Sequence, residues 1–125
     1  MSKVIAVTNQ KGGVGKTTSC INLAASLVKT RRRVMLIDLD PQGNATTGSG
    51  INREDVTDSI YDVLLGQTDL GSVQHQSSGG FILIPSESGL AGIQVELNNM
   101  EQRDHRLKES LKTVRNQFDF ILIEF

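Results

Sequence analysis

The stretch Lys11-Gly12-Gly13-Val14-Gly15-Lys16-Thr17-Thr18 constrains this chain more than any other. It lies between an apolar run at 4–8 and a segment at 17–29 with helical spacing. Glycines let the backbone curl until successive N–H groups point inward, which makes a cradle for phosphate oxygens. A helix that follows adds the positive end of its dipole at the same point. In such a loop Lys16 gives a full charge to the β- and γ-phosphates of a nucleotide, and the Thr17 hydroxyl is a Mg²⁺ ligand. The competing reading is a glycine-rich turn that happens to hold a lysine. The strand and helix on either side count against it.

The rest of the chain repeats the alternation. Apolar runs at 4–8, 34–37, 81–84 and 118–123 are short and rich in Val and Ile. They lack clean alternation, as parallel strands covered on both faces do. Helical spacing lies between them. Ile21, Ala24, Ala25 and Val28 share a face within 17–29, and 58–65 is a shorter case. Ile93, Leu97 and Met100 recur at helical intervals, as do Leu107, Leu111, Val114 and Phe118. Strands alternating with helices predict an α/β domain with right-handed crossovers. The stretches 43–50 and 77–80 read as loops. Ligands of open α/β sheets bind beyond the carboxyl ends of the strands. Here polar residues follow each apolar run: 9–18, then Asp38 and Asp40, then 86–88, then Glu124.

A chain of 125 residues fits one domain. Thirteen Lys and Arg against fourteen Asp and Glu leave a net charge of -1, so contact with nucleic acid would need a local patch. Cys20 is the only cysteine, which excludes an internal disulfide and agrees with a reducing compartment. The apolar run after Met1-Ser2-Lys3 is too short for a signal peptide or a membrane span, and the chain reads as cytoplasmic. Arg31-Arg32-Arg33 reads as a solvated turn rather than a DNA contact. His75 and His105 lack partners at metal-ligand spacing and read as surface residues. Cys20 is most simply a small core residue.

A second acidic segment, Asp38-Leu39-Asp40-Pro41-Gln42-Gly43-Asn44, follows the second apolar run. Carboxylates two residues apart lie on one side of an extended chain. At a strand end they can hold a metal-bound water and orient an attacking one. Alone, the segment would read as a helix cap or a turn. Beside a phosphate loop the functional reading prevails.

The loop departs from the ordinary pattern G-x-x-x-x-G-K-[ST]: Gln10 replaces the first glycine, and a second lysine, Lys11, precedes the glycine pair. This form resembles the deviant Walker A loop of the ParA/MinD superfamily. The Asp-Pro-Gln-Gly-Asn wording resembles its ParA/Soj branch, which partitions chromosomes and plasmids. The resemblance continues through Tyr61-Asp62-Val63-Leu64-Leu65, Ile84-Pro85-Ser86 and Leu90-Ala91-Gly92 to the last strand. It covers essentially the whole chain.

The resemblance implies a P-loop NTPase fold, three-layer α/β/α with a mainly parallel sheet. Residues 1–125 would be the N-terminal part of a single such domain, truncated after the Walker B strand. The implied cofactors are ATP and Mg²⁺. Lys11, Gly12, Gly13, Val14, Gly15, Lys16, Thr17 and Thr18 would bind the nucleotide, with Thr17, Asp38, Asp40 and Glu124 at the metal. Of the catalytic set, Lys16 would act on its own nucleotide and Lys11 on that of the other subunit in an ATP-sandwiched dimer. Asp40 would position the attacking water for slow hydrolysis of ATP to ADP and phosphate.

Implied partners are a second copy of the chain, a ParB-type centromere-binding protein and non-specific DNA, with no membrane. The basic DNA-binding surface of the family lies mainly beyond this part. The implied location is the cytoplasm, on the nucleoid. Glu124 stands where the family ends its Walker B strand with an aspartate. With later strands absent, the phosphate-loop strand is expected at a sheet edge and stability alone is expected to be marginal. Two other readings stand beside this one. A MinD-like regulator of cell division would need a membrane-targeting C-terminal helix, and a catalytically inactive fragment would bind phosphate weakly or only associate with intact subunits.

Overall fold

The computed structural model describes residues 2–7, 14–40, 42–87 and 100–124, and of 14–16, 100 and 101 the backbone alone. Strand β1 (Lys3–Val7), helix α1 (Val14–Lys29) and strand β2 (Val34–Asp38) open the chain. Helices α2 (Asn44–Gly48) and α3 (Ile60–Leu64) and strands β3 (His75–Gln76) and β4 (Ile82–Ile84) follow. Helix α4 (Met100–Lys112) and strand β5 (Phe120–Glu124) come last. The sheet order is β1-β5-β2-β4-β3. The β1–β5, β5–β2 and β2–β4 ladders are parallel and only β3 runs antiparallel, against β4. This is the α/β domain with a mainly parallel sheet that the alternation predicts. The phosphate-loop strand β1 lies at the edge, as expected, with Val4 39% exposed.

Side chains leave the strands to two covered faces. Val34 and Leu36 of β2, Leu83 of β4 and Leu122 of β5 pack with Cys20 and Ala24 of α1 and Ala45 of α2. Their neighbours Met35, Ile37, Ile84, Ile121 and Ile123 pack with Tyr61 and Val63 of α3 and Leu107 and Leu111 of α4. Both faces bury apolar side chains, so the strands read as continuous apolar runs rather than alternating ones. Three layers result.

Three elements differ from the sequence reading. The stretch 43–50 is not all loop: Asn44–Gly48 is helical, opened by Gly43 in the left-handed region at φ 68. Its polar composition hid it, because α2 is held by a carboxylate from β2 rather than by a cap of its own. Strand β3 was unforeseen because His75–Gln76 is not an apolar run. It forms where the 77–80 turn, with Gly80 at φ +89 and Ser77 N–H on the Phe81 carbonyl at 3.0 Å, reverses the chain onto β4. Finally, Val114 and Phe118 stay buried although α4 ends at Lys112, since a 3-10 turn at Arg115–Gln117 carries the chain into β5.

Two helices fall where the spacing predicts them. Helix α1 begins at Val14, three residues ahead of the predicted segment. Helix α3 sits within 58–65 and is closed at its start by a capping box, Ser59 with Asp62. Leu90, Ala91, Gly92, Ile93 and Leu97 lie outside the described residues. Among the described residues no helix is long and apolar enough to cross a membrane.

Candidate functional site

The parity of β2 and β5 decides what meets at their carboxyl ends. Asp38 follows Val34 and Leu36 on the α1 face, and Glu124 follows Leu122. The two acids are register partners in the parallel β2–β5 ladder. Both are fully buried. Thr17, on the first turns of α1, is 5% exposed and donates its hydroxyl to Glu124 Oε1 at 2.5 Å. The other carboxylate oxygen, Oε2, is buried with no hydrogen-bond partner among the described residues.

Burial holds the Glu124 carboxyl above its usual range, against the pull of the Thr17 hydroxyl, and the nearby Asp38 and Asp40 charges push it further up. Burial also raises Asp38, against the donors from Thr46 and Asp40 that stabilise its anion. Two desolvated carboxylates side by side favour a cation between or beside them. A hydroxyl and a carboxylate with a spare buried oxygen are hard donors of the kind Mg²⁺ takes, so these residues fit that ion.

Asp38 has little left to offer a ligand. Its Oδ2 accepts the Thr46 N–H at 2.9 Å, the Thr46 hydroxyl at 2.7 Å and the Ser86 hydroxyl at 3.5 Å. Its Oδ1 accepts the Asp40 N–H at 3.0 Å. The Thr46 hydroxyl in turn accepts the Ser86 N–H at 3.1 Å. One carboxylate therefore ties the end of β2 to α2 and to the segment after β4. Asp40 is only half buried; its oxygens accept the Gln42 N–H at 3.0 Å and the Asn44 amide at 3.3 Å. Arg53 closes this turn from outside, donating to the Gln42 carbonyl at 2.8 Å.

The structure thus brings Thr17, Asp38 and Glu124 together, with Asp40 one turn of chain away. Thr18 joins Thr17, Asn22, Asn44 and Thr47 in lining a cleft of about 400 Å³ between α1 and α2. Val14, Gly15 and Lys16 form the first turn of α1. Lys11, Gly12 and Gly13 lie outside the described residues. Sequence reasoning missed Thr46 and Tyr61. Thr46 carried no motif, and its role comes from the folded contact with Asp38. Tyr61, the only tyrosine, sits in an apolar stripe, and a buried tyrosine hydroxyl needs a partner. Cys20 is buried, as read, and its thiol is pushed up to about 12 by burial, then by Glu124 and Asp38.

Known proteins resemble this chain in sequence and in fold. The chain is 44% identical over 125 residues to the sporulation initiation inhibitor protein Soj of Bacillus subtilis, covering 99% of this chain and 49% of Soj. It is 41% identical to the chromosome partitioning protein ParA of Myxococcus xanthus, covering 99% of this chain and 44% of that protein. The chain spans about half the length of these relatives. Among solved structures, cobyrinic acid a,c-diamide synthase of Mycobacterium smegmatis with bound ATP analog and magnesium superposes with a TM-score of 0.87 at 35% identity, over 98% of this chain and 50% of that one. The AAA domain profile AAA_31 matches residues 2–125, and with these relatives it places the chain in a family: the protein belongs to the AAA_31 family of ParA/Soj/MinD-type partition ATPases.

Proposed function

We propose that this chain binds Mg-ATP and acts as the nucleotide-handling part of a ParA/Soj-type partition ATPase. The observation that carries the reading is the meeting of Thr17 with the buried Glu124, whose second oxygen has no partner, beside Asp38 at the carboxyl ends of β2 and β5. The loop 11–18 cradles the phosphates with its backbone N–H groups at the start of α1. Lys16 neutralises the β- and γ-phosphates of its own nucleotide, and Lys11 reaches that of a second copy of the chain. Thr17 and Glu124 hold Mg²⁺, with Asp38 and Asp40 the carboxylates behind it. Bound there, the ion offsets charge that develops on the phosphoryl oxygens.

Asp40 orients the attacking water and accepts its proton as the water oxygen bonds to the γ-phosphorus and the bond to the β–γ bridging oxygen breaks, ADP leaving with that electron pair. Glu124, one methylene longer than an aspartate, reaches Thr17 from the same strand position. ATP-dependent pairing of two copies would change affinity for non-specific DNA, and a ParB-type partner would stimulate slow hydrolysis to release it. The setting is the bacterial cytoplasm, on the nucleoid.

The experiment is a titration of the purified chain with Mg-ATP by calorimetry, with turnover followed by phosphate release. Lys16→Ala is expected to abolish binding. Asp40→Ala is expected to keep binding and to cut turnover to a residual rate. Unchanged affinity in Lys16→Ala would sink the phosphate-loop assignment. Binding without turnover in the wild-type chain would favour the inactive-fragment reading.

A further inference from the structure

The peptide unit that leads into Asp40 is held at both of its polar atoms. The Leu39 N–H continues the β2–β5 ladder, donating to the Glu124 carbonyl at 2.8 Å. The Leu39 carbonyl accepts the Tyr61 hydroxyl at 2.9 Å. The next N–H, that of Asp40, donates to Asp38 Oδ1 at 3.0 Å. A peptide unit is planar, so pinning its oxygen and its nitrogen sets the direction in which the Asp40 Cα leaves the strand. The carboxylate is then placed by the turn beyond, through Gln42 and Asn44.

Tyr61 is 1% exposed and its ring lies in the core with Ile37, Leu39, Val63 and Ile84. Phenylalanine would fill that space equally well. The hydroxyl is therefore the informative atom: burying it costs free energy unless it is hydrogen-bonded, and packing does not require it. It donates to the Leu39 carbonyl, between the two aspartates. Helix α3, which carries it, is anchored at its start by the Ser59–Asp62 capping box and by the Ile60 N–H on the Pro85 carbonyl at 2.8 Å. The donor is thus held from two directions.

We propose that Tyr61 is a positioning residue for hydrolysis, its hydroxyl holding the Leu39–Asp40 peptide so that the Asp40 carboxylate is presented beyond the end of β2. The role rests on the ATPase reading above. Small misplacements of a reacting group cost large factors in rate while leaving ground-state binding intact. The effect belongs in kcat.

The test compares wild type, Tyr61→Phe, Asp40→Ala and the double variant for Mg-ATP affinity and for kcat and KM. Tyr61→Phe is expected to keep ATP affinity within about twofold and to lower kcat on the order of tenfold with KM unchanged. In the Asp40→Ala background the same change is expected to have no further effect on residual turnover, since no carboxylate remains to aim. A wild-type kcat in Tyr61→Phe, a loss confined to KM, or an equal loss in both backgrounds would overturn the positioning role and leave the ATPase reading standing. A wild-type chain that turns over no ATP would remove both.

Should Tyr61→Phe fail to fold, biosynthetic fluorotyrosine labelling modifies Tyr61 alone and alters the acidity of its hydroxyl. A changed kcat at unchanged KM supports the role, and an unchanged kcat overturns it.

Discussion

Thr17 and Glu124, 107 positions apart in the chain, meet in a buried hydrogen bond of 2.5 Å where α1 begins and β5 ends. The bond uses one oxygen of the carboxylate and leaves the other buried without a partner among the described residues. Thr17→Val removes the hydroxyl at nearly constant volume. It is expected to weaken Mg²⁺-dependent nucleotide binding on the order of tenfold or more, while ATP affinity without the metal changes little. Glu124→Gln is expected to behave alike. Calorimetric titrations with and without Mg²⁺ separate the two effects; equal losses in both would assign Thr17 to the phosphates alone.

Thr46 bridges three elements through one side chain. Thr46→Val strips a donor from the buried Asp38 and leaves the Ser86 N–H without its acceptor. A cost of about 1–3 kcal/mol in unfolding free energy is expected, because buried polar groups lose their partners. Urea unfolding measures it. Ser86→Ala, which removes only the 3.5 Å contact to Asp38, is expected to cost less.

Gly43 opens α2 with φ 68, and a Cβ there would stand 2.7 Å from the Arg53 guanidinium carbon. Gly43→Ala is expected to destabilise by about 1–2 kcal/mol from the left-handed backbone alone. It also displaces Arg53 from the Gln42 carbonyl. Gly48→Ala meets only the Ile21 methyl, at 2.7 Å, within a helix of ordinary φ. That side chain can turn away, so the loss is expected to be smaller. Thermal unfolding of the two variants gives the ranking.

Cys20 supplies a pH prediction. Its thiol is neutral up to about 12 in the folded chain against 9.0 in the unfolded one. The folded state therefore keeps a proton that the unfolded state has lost between these values. Stability is expected to be unaffected by this group below about 9 and to fall as pH rises from there towards 12. Cys20→Ala should flatten that limb in denaturant titrations. At pH 8 a thiol probe should react only at the rate of opening, since the thiolate is the reactive form.

The exposed pair at the start of β5 has the opposite sign. The Arg33 N–H donates to Asp119 Oδ2 at 2.8 Å, and this bond, with the Arg33 charge, holds the Asp119 carboxyl below its usual range. Its contribution is present at neutral pH and fades as pH falls through the lowered value. Asp119→Asn is expected to remove a small acid dependence, small because the pair is exposed and screened. A comparison of urea midpoints between pH 3 and 7 checks it.

Much of the fold and of the site was present in the order of residues alone. The strand, loop and helix around 4–29 follow from an apolar run, glycines and a period of 3.6, all local properties. So does the placing of polar residues after each apolar run, which put Thr17, Asp38, Asp40 and Glu124 at one end of the sheet before any strand was paired. The fate of each carboxylate was not local. Asp38 and Asp40 look equivalent two residues apart, yet one is sealed under Thr46 and Ser86 and the other faces a turn held by Gln42 and Asn44. Helix α2 and strand β3 escaped pattern reading for the same reason. Their hydrogen-bond partners lie on β2 and β4, six to eight residues away in the chain, beyond the single helical turn or strand alternation that a local pattern samples. Sequence determined which acids and hydroxyls this chain carries; tertiary structure decided which oxygen is spent on the fold and which is left without a partner among the described residues, because burial and pairing are properties of neighbours in space.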